Sequence, residues 1–271
     1  MIVIIPNIEN TFFREILSVI GAEAELNGYH MLIADLHSQP SLEKYYFQAI
    51  QQRQVDGIIS LSANVTQKSA HQIAGKYPLV MAVQNVPNNT SPSVSIDNVA
   101  AAKSLMTHLI RLGHRNIAHI TVSQSQFPYY DRLSSYVSVL KEHNISVDNE
   151  LICYGEPTIM GGYEQMSALL AKKKPVTAVF AAGDIMAIGA MKALKDHGLR
   201  IPEDCAVVGF DDIELSAFWE PALTTIRQPK EQIGRIAFQK LLALMQKEPL
   251  LNVQELLPYE LVIRESCGYF I

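Results

Sequence analysis

Residues 177–209 read TAVFAAGDIMAIGAMKALKDHGLRIPEDCAVVG, and their pattern decides the fold class. A short apolar run over 177–180 is followed by a stretch of helical period over 184–197 and a second apolar run over 206–209. Strands that alternate with amphipathic helices specify βαβ units and a parallel sheet. The alternation continues outward in both directions. Upstream it predicts strands over 117–121 and 150–153, helices over 130–143 and 162–172, and a helix from Asp97, its cap, to about Leu112, stopped by Gly113. A separate series lies nearer the amino terminus, with strands over 2–5, 30–34, 57–60 and 79–83 and helices over 11–26, 42–53 and 67–75. Asn10 or Thr11 is the expected N-cap of the first helix and Asn27-Gly28 its stop. A helix over 230–246 and a strand over 259–264 complete the chain.

Two series of this kind predict two sheets. The turn-rich stretch 86–93, with Pro87, Asn88, Asn89 and Pro92, reads as the connection between them. The chain has 271 residues, 48% hydrophobic and 18% charged, which suits two packed lobes and excludes disorder. With 22 Lys and Arg against 27 Asp and Glu, the net charge of -5 argues against this chain gripping a phosphate backbone itself. Its apolar runs are far shorter than the ~20 residues of a membrane helix. No basic segment and small-residue cleavage site accompany the opening run at Ile2, so the expected location is the cytoplasm. Cys153, Cys205 and Cys267 are odd in number and widely spaced, which predicts reduced packing residues and no metal or disulfide framework.

The segment GDIMAIGAMKALKDHGLRIPEDCAVVGFDDIELSAFWEPALTTIRQP over 183–229 resembles the lactose/galactose-repressor (LacI/GalR) family of transcriptional regulators. IPNIENTFFREIL, QVDGIIS, SIDNVAAAKSLMTHLIRLGHRNIAHI and YYDRLSSY extend the likeness, in family order, over essentially the whole chain. The resemblance implies an α/β fold like that of periplasmic sugar-binding proteins: two Rossmann-like lobes joined by three crossings, with a ligand cleft between them. It places the first lobe at residues 1–93 plus 228–252 and the second at 94–227 plus 253–271. No helix-turn-helix precedes Met1, so the likeness covers the sensor and not the DNA reader.

Ligands of open α/β sheets bind outside the carboxyl ends of the strands, and each candidate falls on a segment that follows a strand. Phe12 and Phe13 open the first helix, where an aromatic ring can stack on a sugar or base. Arg132 offers a rigid donor fork to paired hydroxyls, and Asp211 two acceptor oxygens. These positions match ligand contacts of the family. Gly183, before the helix that Asp184 opens, lets backbone approach a ligand. Blander readings stand beside these: at least one phenylalanine packing in the core, Asp184 as a helix N-terminal cap, Asp211 and Asp212 as turn or cap residues, His114 as structural, and Lys172 to Lys174 as a solvated helix end. The sequence departs from the family at two places. Val83 stands where relatives carry an Asp or Asn after the fourth strand, so that polar contact is absent or passes to Gln84 or Asn85. Pro157 stands where relatives often carry a pocket aromatic.

The implied function is an effector-binding and homodimerisation core that senses a neutral nucleoside or sugar and reaches an operator only through a headpiece absent here. A periplasmic sugar-binding transport receptor is the alternative with the same fold. Trp219, in a segment with no clear period, is expected at the dimer face, which disfavours a monomeric receptor. No G-x-G-x-x-G after the first strand, Walker lysine, G-x-S-x-G or H-E-x-x-H is present, so binding without catalysis or cofactor is expected.

Overall fold

Ile2–Ile5 (β1) is a run of four apolar residues buried on both faces, as a central strand of a parallel sheet must be. The computed structural model describes residues 1–37, 39–62, 76–84, 90–122 and 128–268. The chain divides into two units, Met1–Asp97 with Pro229–Pro258, and Asn98–Gln228 with Tyr259–Ile271.

In the first unit β1 is followed by α1 (Thr11–Leu26), whose N-cap Asn10 accepts from the Phe12 amide as its place in the sequence predicts. Then come β2 (Leu32–Asp35), α2 (Glu43–Gln51), β3 (Ile58–Ser60), β4 (Leu79–Ala82) and β5 (Ser93–Ile96). The six-stranded sheet has the order β11-β5-β4-β3-β1-β2, where β11 is Gln254–Leu257, and every pair in it is parallel. α8 (Lys230–Gln246) packs on α1 and on β4 and β5.

The second unit holds α3 (Asn98–Arg111), β6 (Ile117–Thr121), α4 (Tyr129–Glu142), β7 (Ile152–Tyr154), α5 (Ile159–Ala171), β8 (Ala178–Ala181), α6 (Asp184–Asp196) and β9 (Ala206–Val208). Its parallel sheet has the order β7-β6-β8-β9. The short helix α7 (Glu214–Phe218) follows, and β10 (Thr225–Arg227) pairs antiparallel with β12 (Glu260–Val262).

The unit boundaries differ from those expected. Residues 93–96, expected as the last residue of the connection and the start of the second lobe, form β5, and 254–257 form β11 rather than part of the second lobe; the two pair with each other in the first sheet. The crossings therefore fall after Asp97, Gln228 and Pro258. The alternation Ser93-Val94-Ser95-Ile96 carries no continuous apolar run, yet all four side chains are buried. β10 and α7 are likewise too short to register as a period. The helix expected over 67–75, and residues 86–89 of the connection expected over 86–93, lie outside the described residues.

α5 and α6 touch backbone to backbone, because glycines lie at their contact. A Cβ on Gly162 would overlap the carbonyl of Met186, and one on Gly189 that of Ile159. The helices must then move apart over the core that Met166, Leu169, Met186 and Ala190 share. Gly189→Ala is expected to destabilise the chain by ~1–3 kcal/mol through overpacking, despite the helix propensity of alanine. A shift of the denaturant midpoint to lower concentration tests this, and an unchanged or raised midpoint contradicts it.

Candidate functional site

The carboxyl ends of β6, β8 and β9 carry most of the predicted polar residues. Arg132 lies in the first turn of α4, within the helix expected there, and it is only 2% exposed. A guanidinium so deeply buried requires partners for its donors. Nη1 donates to the carbonyl of Ala182, Nε and Nη2 to Asn98 Oδ1 at 3.4 and 3.2 Å, and Nη2 to Asp211 Oδ1 at 3.4 Å. The Phe210 ring lies beneath it with its centroid 3.6 Å from the guanidinium carbon, and the Tyr129 ring stands 5.6 Å away. Stacking and ion pairing together hold the planar fork in one orientation.

Asp211 is 7% exposed, and its Oδ1 also accepts from Gln228 Nε2 at 2.7 Å. The residue has φ of 112° and Asp212 has φ of 48°, both in the left-handed range that non-glycine residues avoid. The surrounding bonds hold this dipeptide. The Asp184 amide donates to the Phe210 carbonyl at 2.8 Å, and Asp184 Oδ2 accepts from the Ile213 amide at 2.9 Å. Asp184 thus grips the chain on both sides of the strained pair. Its carboxylate also accepts from Ser216 Oγ at 2.8 Å and Thr225 Oγ1 at 2.6 Å, which ties α7 and β10 to α6.

Asp184 was expected to cap a helix; instead Gly183 is the N-cap of α6 and Asp184 is its first residue, with its carboxylate turned to the β9–α7 turn. Gly183 is extended, and a Cβ on it would meet only Asp211 Oδ2, at 3.8 Å. Asp212 serves as an anchor: it pairs with Arg227 and Arg264, each at 2.7 Å. His114 bonds Thr177 Oγ1 at 3.1 Å, a structural contact. Lys174 pairs with Asp148 and Glu150 rather than standing free at a helix end.

On the first unit, Phe12 and Phe13 are both buried, their rings edge to face with centroids 5.2 Å apart. Trp219, expected on a contact surface, is half-buried and packs against the hydrophobic core of its own unit. The exposed aromatic is its neighbour Phe218, at 79%. The second unit therefore brings Arg132, Gly183 and Asp211 together and adds Asn98, Phe210 and Gln228, which sequence reasoning missed. Phe210 stood inside the quoted GFDD segment, but Asn98 gives no local signal for a partner 34 residues away.

A family model described as periplasmic binding protein-like domain matches residues 106–267. The transcriptional repressor CytR of Escherichia coli strain K12 is 37% identical over 267 residues, covering 98% of this chain and 78% of that protein. The solved complex of the transcriptional regulator CelR with cellobiose matches with a TM-score of 0.86 at 28% identity, covering 98% of this chain and 83% of that one. A dimeric Lac repressor matches with a TM-score of 0.87 at 25% identity, with 98% of each chain covered.

Burial pushes the Asp184 carboxyl up from 3.8 to about 7; the negative charge of Asp211 adds to this, and the three donors oppose it. Between those values the folded chain holds a proton that the unfolded chain has released. The stability linked to this group is therefore full below pH about 4 and is lost as pH rises through about 7. Melting temperatures across this range should fall more steeply with rising pH for the wild type than for Asp184→Asn, which cannot ionise. Parallel profiles for the two proteins would contradict this assignment.

Proposed function

This chain belongs to the lactose/galactose-repressor (LacI/GalR) family of transcriptional regulators, and from that premise we propose that it is the effector-sensing and dimerisation core of a cytoplasmic repressor whose effector is an uncharged nucleoside or sugar. The observation that carries this reading is the buried Arg132–Asp211 pair at the carboxyl ends of the second unit's strands, 3.4 Å apart. One cation and one anion at this place leave no net charge for an ionic ligand to neutralise. What they offer is a fixed donor fork and acceptor oxygens, the pattern suited to adjacent hydroxyls.

The strained Asp211, held by Asp184 and the neighbouring bonds, supports a binding role, because backbone strain persists where surrounding structure over-determines it and is common at ligand sites. Gly183 leaves backbone open beside Asp211. Phe12 and Phe13 are the contacts proposed on the first unit, with at least one of them serving the core. The cellobiose bound by CelR supports the sugar class, and the likeness to CytR supports the repressor role over a transport receptor. An effector that binds one conformation better than another shifts the population between them and so couples to DNA affinity in the intact repressor. Binding proceeds without turnover.

Calorimetric titration of the chain with ribose, cellobiose, cytidine and uridine tests the class. Arg132→Ala and Asp211→Ala should each weaken binding of whichever compound is bound by ~1–3 kcal/mol, since the ligand group loses its partner in a buried site. Affinity unchanged from the wild type in both variants, or heat from anionic metabolites alone, would overturn the assignment.

The dimer face is proposed around Trp219 and the exposed Phe218. The likeness to a dimeric Lac repressor supports this, and closed two-fold symmetry suits a pair of operator half-sites. Sedimentation at micromolar concentration should give a dimer for the wild type and a monomer for Phe218→Asp, a variant that spares the Trp219 packing. A Phe218→Asp chain that remains dimeric moves the interface elsewhere.

A further inference from the structure

We infer that the second unit carries another small-molecule site, at the end of its sheet opposite Arg132 and Asp211, and that this site takes an organic monocarboxylate with an apolar body. A cavity of about 430 Å³ opens there. It is lined by Arg115 and Asn116 between α3 and β6, by Asn144, Ile145 and Leu151 between α4 and β7, and by Pro175 between α5 and β8. These connections feed the amino ends of β6, β7 and β8, which run parallel, so the cavity and the Arg132–Asp211 pair lie at opposite ends of one sheet. The volume falls within the ~300–1,000 Å³ usual for small-molecule sites.

The charges around the cavity are unequally matched. Lys174 Nζ pairs with Asp148 Oδ2 at 2.6 Å and with Glu150, and Lys172 Nζ donates to the Glu150 carbonyl at 3.5 Å, so two carboxylates and two ammonium groups balance along that wall. Arg115 has no carboxylate partner among the described residues. Its Nη1 donates to the carbonyls of Ile110 and His114, each at 3.3 Å, which holds the guanidinium in place and leaves Nε and Nη2 for a ligand. A planar guanidinium matches a carboxylate with two parallel hydrogen bonds. One uncompensated cation calls for one negative charge, and a second anionic group would meet Asp148. Ile145, Leu151 and Pro175 supply apolar surface for the body of the ligand, which an inorganic anion would leave unused.

The test follows the backbone amide signals of the isotope-labelled chain during titration with benzoate, hexanoate, benzyl alcohol and inorganic phosphate. Benzoate and hexanoate should shift the signals of Arg115, Asn116, Asn144 and Leu151, with dissociation constants of about 0.1–1 mM because water screens an exposed pair, and should leave those around Asp211 in place. Benzyl alcohol keeps the ring and lacks the charge, while phosphate keeps the charge and lacks the apolar body; each should bind roughly tenfold more weakly than benzoate. Arg115→Gln should weaken carboxylate binding by about the same factor. Asn144→Asp should do so by charge repulsion, at an exposed position whose left-handed φ of 55° an aspartate also tolerates. Arg111→Gln, in the exposed last turn of α3 outside the cavity, should bind as the wild type does.

Phosphate that binds as tightly as benzoate means an adventitious ion only and overturns the inference. Carboxylates that move no signal at the cavity overturn it too, as does unchanged affinity in Arg115→Gln and Asn144→Asp. An equal loss in Arg111→Gln assigns the effect to diffuse surface charge, with the same consequence. If Arg115→Gln fails to fold, Asn144→Asp alone decides. None of these outcomes touches the effector reading, because the two sites lie at opposite ends of the sheet and take ligands of different charge.

Discussion

The second unit's site is organised by one buried carboxylate. Asp184 is the first residue of α6, and its oxygens gather the Ile213 amide and the hydroxyls of Ser216 and Thr225. A carboxyl group removed from water is supplied with donors or keeps its proton, and here burial raises its pKa to about 7 while three donors drawn from separate segments oppose that rise. Those segments are consequently fixed to one another. The demand extends to the residue after β9, where a Cβ on Gly209 would overlap Asp184 Oδ1. The left-handed Asp211 and Asp212 are the outcome: a turn that would relax in isolation is held at both ends by a single residue.

That turn sets the electrostatics of the site. Asp211 faces Arg132 while Asp212 is drawn to Arg227 and Arg264, so adjacent carboxylates in one dipeptide do different work. The first belongs to a nearly dry pair with Phe210 and Asn98 around the guanidinium, and the second to an ion cluster nearer the surface that fastens β10 and β12.

On the first unit the polar groups follow another logic. β4 and β5 are buried on both faces, so polar groups at their ends must find backbone partners. Ser60, Ser62 and Gln84 largely do so among themselves, and the atoms left over mark where that local supply ends.

Sequence periodicity was enough to determine the α/β class, the doubling of the sheet and the start of α1, because these depend on interactions within a few residues. The order of motifs along the whole chain also identified the family and singled out Arg132 and Asp211. The tertiary structure alone decided that Ser93–Ile96 and Gln254–Leu257 are paired strands of the first sheet. It also decided that Asp184 is a tie between segments rather than a cap, that Asn98 and Gln228 complete the Arg132–Asp211 pair, and that Trp219 turns toward its own core while Phe218 faces out. Local pattern records which side chains are apolar and how they repeat. It carries no record of which distant donor satisfies a buried acceptor, since that is settled only when the chain brings the two together and water is excluded.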